Sequence, residues 1–363
     1  MVILAVLAVA GIGWWIEDRA LHLSHASSYP QRVRAVGPGT VTLPPATSSR
    51  LLGRYRLEWR GGTALLSEVL RDDRHGVVRV MTEPQGTPLH AGTRTRMTDV
   101  YRGDPRSALG VAYDELRLPS PLGPMPAWLV PGTRSTWAIM VHGYGGSRED
   151  GLYLLPALHR LGVPSLFVTY RNDAGAPKGP GGLVHLGQTE WRDLEPAMDY
   201  AQGHGATGVV LIGGSMGGTI VAEYVRHSPH AGLVRGLVLD APGLDFGTDL
   251  RAGARTHGLR GPFNWLLIGV ARWAMQLQGG IDFGELNQIA HARDFHLPIL
   301  LYQGDRDELA PVSGADAFAR ARPDVVTYVR VPGAAHLEAW NVDPGRCEAS
   351  FADFLARTGS ITS

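Results

Sequence analysis

The residues best suited to chemistry lie around Gly213-Gly214-Ser215-Met216-Gly217. Four apolar residues, Val209 to Ile212, precede this segment as a short buried strand, and Met216 to His227 has the composition and apolar spacing of a helix. A serine in a tight strand-to-helix turn is held clear of the sheet, with its hydroxyl at a helix N-terminus. Small residues two positions before and after it, here Gly213 and Gly217, let neighbouring backbone approach the turn. With 47 glycines in 363 residues the pattern alone can arise by chance; its position between a strand and a helix gives it weight.

A serine hydroxyl is a weak nucleophile until a base takes its proton, and the base works best when a carboxylate orients it. Both partners follow Ser215 on loops after expected strands. His336, in Pro332-Gly333-Ala334-Ala335-His336, is the only one of 14 histidines on a strand-end loop downstream of both the serine and an acid. Asp307, in Gly304-Asp305-Arg306-Asp307, is the preferred acid, with Asp305 capping or bracing the turn. Asp240, just past an expected strand ending at Leu239, competes for the same role. An oxyanion formed at the attacked carbon needs two fixed donors. The backbone N–H of Met216 can supply one and that of Tyr144, in Val141-His142-Gly143-Tyr144-Gly145-Gly146-Ser147, the other. With no second metal ligand near it, His142 reads as a shaper of this loop.

These residues need strands to place them, and the text around them supplies a regular alternation. A β-hairpin is expected over Tyr113–Leu118 and Ala127–Val130, then strands at 138–141, 165–170, 209–212, 233–239, 299–302 and 325–331. Helices are expected at 150–161, 188–203, 216–227, 313–321 and 344–356. Apolar strands alternating with helices imply an α/β fold, a mostly parallel sheet covered on both faces, over residues 111–363. Residues 245–296 interrupt it with helical text rich in large apolar side chains, among them Trp265 and Trp273, and could form a lid over a pocket. Before it, residues 27–105 carry short β-branched runs broken by Gly and Pro, which indicates a small accessory β-rich module with no catalytic constellation.

The first 20 residues form a further unit. Val2 to Ile16 is an almost unbroken apolar run ending at Glu17-Asp18-Arg19, with Trp14 and Trp15 suited to a membrane interface. It is shorter than the roughly 20 residues of a comfortable span and has no basic residues before it. We therefore expect an uncleaved apolar anchor helix, with a buried N-terminal helix as the alternative.

Composition narrows the functional classes. Lys plus Arg and Asp plus Glu number 34 each, so no overall field favours nucleic acid. The single cysteine, Cys347, excludes an intrachain disulfide and any multi-cysteine metal site, and reads as a small buried apolar residue.

Together, Val141-His142-Gly143-Tyr144-Gly145-Gly146, Gly213-Gly214-Ser215-Met216-Gly217, Gly304-Asp305-Arg306-Asp307 and Gly333-Ala334-Ala335-His336 resemble the α/β-hydrolase superfamily, in its order Ser, Asp, His. The resemblance covers about the last two-thirds of the chain. Tyr170-Arg-Asn-Asp-Ala-Gly-Ala-Pro177 with Glu190-Trp-Arg-Asp193 looks like membrane-anchored bacterial (actinobacterial-type) members. The chain departs from many relatives in having Gln303 where they carry His, and in lacking a His-Gly-Gly-Gly loop. The resemblance implies a serine hydrolase acting on carboxylic esters, a small-molecule acyl substrate, no metal or organic cofactor, and a catalytic domain outside the cytoplasm tethered by the N-terminal helix. A peptidase or thioesterase would use the same residues, and a non-catalytic binding protein of this fold is the alternative from another class.

Overall fold

The computed structural model describes residues 21, 28–256 and 264–359. The expected anchor, residues 1–20, lies outside them. Among the described residues no helix is long and apolar enough to cross a membrane.

Two sheets organise the described residues. The first has seven antiparallel strands in the order β1-β7-β4-β5-β6-β3-β2, where β1 is Gln31–Arg32, β2 Ala35–Gly37, β3 Thr40–Leu43, β4 Tyr55–Trp59, β5 Gly62–Asp73, β6 Gly76–Gly86 and β7 Arg94–Thr98. Alternate residues of β4, Tyr55, Leu57 and Trp59, are buried with Val41, Leu43 and Leu66 in a small core of their own. One charged side chain among the described residues of this module is fully buried. Arg79 on β6 is fully buried, and its guanidinium donates to the carbonyls of Leu51 (2.6 Å), Gly53 (2.8 Å) and Ser67 (3.1 Å), which offsets the desolvation of the charge.

The second sheet has eight strands in the order β15-β14-β13-β12-β10-β11-β9-β8, with β8 Asp114–Leu118, β9 Met125–Val130, β10 Thr136–Val141, β11 Ser165–Val168, β12 Gly208–Gly214, β13 Val234–Asp240, β14 Ile299–Gly304 and β15 Val326–Val331. From β11 to β15 all neighbours are parallel, and β9 pairs antiparallel with both β11 and β8. Every residue of β10 is buried because helices cover both faces. Ile139, Val141, Leu211 and Leu239 face one side, toward helices Glu195–Gly203 and Met216–His227. Ala138, Met140, Ile212 and Tyr302 face the other, toward Leu154–Leu158 and the C-terminal helix Pro344–Arg357. The chain leaves β10 in one direction to form β11 and returns past it to form β12, so the order reverses there. Loops leaving the C-terminal ends of strands at such a reversal diverge and open a crevice. Ser215 and the segment 142–147 are on these two loops.

Two expected helices are shorter than their apolar spacing suggested. The stretch from Asp150 begins as a 3-10 turn, Arg148–Leu154, and becomes α-helical only at Leu155–Arg160; likewise Glu190–Leu194 is 3-10 before helix Glu195–Gly203. The cause is Pro156 and Pro196, each in the first turn of the α-helical part. Proline has no N–H to continue an incoming helix, and its ring clashes with the carbonyl four residues back, so the helix restarts at it. Between β13 and β14 the insertion includes helices Phe246–Thr256 and Asn264–Gly279, and Trp265 and Trp273 on the second are exposed.

Candidate active site

Strand β12 ends at Gly214, and Ser215 turns the chain into helix Met216–His227 with φ 52° and ψ −121°. A non-glycine residue in this region costs about 1–3 kcal/mol and persists only where its surroundings fix it. Here the Ser215 N–H donates to the Asp240 carbonyl (2.9 Å), while its own carbonyl accepts from Gly218 (2.9 Å) and Gly243 (3.1 Å). The flanking glycines are sterically required. A β-carbon on Gly213 would lie 2.3 Å from the Gly217 carbonyl oxygen, and one on Gly217 would lie 2.2 Å from that of Val141.

The structure brings Ser215, His336 and Asp307 into one chain of hydrogen bonds. His336 Nε2 lies 2.9 Å from Ser215 Oγ, and its Nδ1 lies 2.8 Å from Asp307 Oδ2. The Asp307 carboxylate is held on both oxygens. Oδ1 accepts from the backbone N–H of Leu309 (2.9 Å) and Ala310 (2.8 Å), and Oδ2 from Gln303 Nε2 (3.0 Å). Gln303 therefore orients the acid by donating to it. Asp305 ties the two loops together, its Oδ1 accepting from Gly333 N–H at 2.7 Å, three residues before His336.

Asp240 takes a different place. It is buried at the end of β13 and accepts from the Tyr153 hydroxyl (3.0 Å) rather than from the imidazole. Burial pushes its carboxyl up to about 6, against the opposing pull of the Tyr153 hydrogen bond and of His336.

The backbone of Met216 opens the first turn of its helix directly after Ser215. The loop carrying Tyr144 packs against the serine from the other side, where a β-carbon on Gly143 would lie 2.9 Å from Ser215 Cβ. His142 fixes the start of that loop. Its Nε2 lies 2.8 Å from Asp173 Oδ2, its Nδ1 lies 2.9 Å from the Gly143 carbonyl, and its ring stacks on Tyr170 with centroids 4.5 Å apart. Both nitrogens face acceptors, so the ring fits best as a doubly donating imidazolium. Burial opposes that charge, but the charge and hydrogen bond of Asp173 outweigh it and raise the His142 pKa. The Tyr170 hydroxyl donates to the Gly143 carbonyl at 2.8 Å, giving the loop a second brace.

Sequence reasoning did not find Asp173 or Tyr170 as supports of this loop. Both lie in the stretch Tyr170 to Pro177, and no spacing rule links them to a histidine 28 and 31 residues earlier. The partner stretch supplies Asp193, whose carboxylate binds Arg171 NH2 and Nε (2.8 and 2.7 Å) and so locks that segment onto the domain.

Beside the serine, a cleft of about 300 Å³ separates the β-rich module from the larger domain. Asp99 and Tyr101 line it from the module, and Gly143, Gly214, Leu337 and Trp340 from the domain. Asp99 is exposed within this recess.

With eight strands in this order and a serine, acid and histidine on three strand-end loops, the larger domain has the α/β-hydrolase fold. Among solved structures it is similar to the Pyrococcus furiosus esterase PF2001, with a TM-score of 0.57 at 18% identity over 71% of this chain and 95% of that one. Two other crystal forms of that esterase give TM-scores of 0.56 and 0.55. In sequence the chain is similar to the uncharacterized proteins Rv2307c and MT2364 of two Mycobacterium tuberculosis strains, 25% identical over 242 residues, 64% of this chain and 75% of each relative. Residues 32–98, within the β-rich module, match a domain of unknown function, DUF8805.

Proposed function

We propose that the protein is a serine hydrolase cleaving carboxylic esters of small-molecule substrates. The observation that carries this reading is the hydrogen-bonded chain Asp307–His336–Ser215, ending on a serine whose backbone is strained out of the sheet. In this reading His336 Nε2 takes the Ser215 proton as Oγ attacks the acyl carbon, and Asp307 holds the ring and stabilises its cation. The backbone N–H groups of Met216 and Tyr144 receive the oxyanion, each contributing about 10²–10³ in rate. His336 returns the proton to the leaving alcohol, and a water activated by the same imidazole then releases the acyl enzyme. Every step uses side chains and backbone of this chain, without a cofactor. The similarity to an enzyme named as an esterase supports esters as the first substrates to try.

The test is Ser215→Ala. It should abolish both p-nitrophenyl ester turnover and labelling by a fluorophosphonate; labelling that survives would sink the assignment. Peptide anilides and acyl thioesters in the same panel separate this reading from a peptidase or thioesterase. We also propose that residues 1–20 tether the enzyme to a membrane with the catalytic domain outside the cytoplasm, and that the 245–296 insertion acts as a lid. Deleting residues 1–20 should then move the protein to the soluble fraction, and unchanged fractionation would remove the tether.

A further inference from the structure

The backbone just after His336 is held in an uncommon conformation. Leu337 has φ 61°, in the left-handed region that a leucine adopts only when neighbours enforce it, and its side chain packs beside Gly214. Besides the domain's own contacts, among them the packing of Trp340 on Tyr153, Tyr302 and Phe351, this loop is touched by the β-rich module. The Arg54 N–H donates to the Asn341 carbonyl (3.0 Å), and Asn341 Nδ2 returns a hydrogen bond to the Arg54 carbonyl (2.7 Å). The Tyr55 hydroxyl is hydrogen-bonded to the Glu338 carboxyl. Before the histidine, Leu52 sits so close to Gly333 that a β-carbon there would lie 2.8 Å from Leu52 Cδ1. Four consecutive module residues, 52 to 55, thus brace the histidine loop on both sides. They are themselves fixed from within the module, because buried Arg79 binds the carbonyls of Leu51 and Gly53.

We propose that the β-rich module is a clamp for the proposed general base, and that Tyr55 and Glu338 are positioning residues that hold His336 in line with Ser215. This rests on the serine-hydrolase reading and assigns to the module a task within it. The physical reason is leverage. Glu338 is two residues from His336, so a shift of the 338–341 segment passes directly to the imidazole, and proton transfer is sensitive to displacements well under the width of an atom.

The hydrogen bond between the two residues has a definite polarity. A phenol carries one proton, and Tyr55 also lies 2.9 Å from the Leu52 carbonyl, a pure acceptor. That one proton is shared: the Tyr55 hydroxyl donates to the Glu338 carboxyl and to the Leu52 carbonyl. Glu338 also feels the charged groups around it. Burial and the carboxylates of Asp99 and Asp240 push it up to about 8, while Tyr55 and the Arg79 cation pull the other way. The phenol can donate to the neutral acid and, more strongly, to the carboxylate, so the bridge persists as Glu338 ionises.

The test compares full-length wild type with Tyr55→Phe, Glu338→Gln and Gly53→Ala. Tyr55→Phe keeps the ring in the core and removes the bridge. It should lower kcat and the fluorophosphonate labelling rate by about tenfold with little change in KM, the worth of one well-placed hydrogen bond. Gly53→Ala should act in the same direction, since its β-carbon would sit 2.1 Å from the Asn341 carbonyl oxygen. Glu338→Gln retains an acceptor, the amide oxygen, for the Tyr55 hydroxyl and is the conservative rescue. It should keep kcat and the labelling rate close to wild type. Hydrogen exchange of the 333–342 amides, independent of turnover, should rise in Tyr55→Phe. A kcat, labelling rate and exchange pattern in Tyr55→Phe equal to wild type overturn the clamp. If wild type itself neither turns over esters nor labels at Ser215, the hydrolase reading fails instead, and the exchange data alone decide whether the module holds this loop.

Discussion

Replacing Gly217 by alanine tests the geometry of the turn at its tightest point. The added methyl would lie 2.2 Å from the carbonyl oxygen of Val141 and 2.6 Å from that of His142, both backbone atoms that no rotamer change can move. Ordinary contact begins near 3.4 Å, so the end of β10 and the loop carrying Tyr144 must retreat from helix Met216–His227 by about 1 Å. That displacement separates the two proposed oxyanion donors, and a misplacement of this size costs about 10²-fold in kcat. Gly214→Ala is the internal control. Its β-carbon meets only the tip of Leu337, at 3.1 Å, and the rate should stay within about threefold, as for a substitution that displaces no backbone. The assay is kcat and KM on a short-chain p-nitrophenyl ester with the fluorophosphonate labelling rate, each variant first checked for a cooperative thermal transition. A folded Gly217→Ala enzyme with wild-type kcat would refute the claim that these loops must meet at the glycine.

The remaining predictions concern the two buried titrating groups near the site. Asp240→Asn should raise the thermal midpoint at pH 7. A carboxyl held at about 6 against an ordinary 3.8 contributes stability that is present below pH 4 and lost as pH rises through 6, and above that pH it costs up to about 3 kcal/mol. The same variant should keep ester turnover within a few-fold, whereas Asp307→Asn should lose about 10³–10⁴; the reverse outcome, measured as kcat, would move the acid role to Asp240. His142→Gln can satisfy only one of the two acceptors that the imidazolium serves, and should lower kcat by about tenfold to a hundredfold while leaving KM nearly unchanged. Because the His142 pKa is raised, its contribution to loop order is fully present below about pH 6.5 and disappears as pH rises through the higher folded value. Imidazole resonances followed by NMR across that range would check it, and a ring already neutral at pH 6 would refute it.

The sequence by itself determined the alternation of strands and helices and the placing of Ser215, Asp307 and His336 at strand ends. Those features follow from local rules: a period of two in strands, apolar runs where both faces are covered, and glycine where backbone must pass close by. It preferred Asp307 without excluding Asp240, since both follow a strand and each bears a carboxylate at a workable position. Only the packed structure decided which carboxylate meets the imidazole, because Tyr153 arrives from another layer and occupies Asp240. For the same reason Asp173 and Tyr170 were invisible as supports of His142, and the β-rich module gave no sign of its contact with the histidine loop. Tyr55 and Glu338 are 283 residues apart. No periodicity spans such a distance, and what joins them is the shape of two finished cores meeting at one surface.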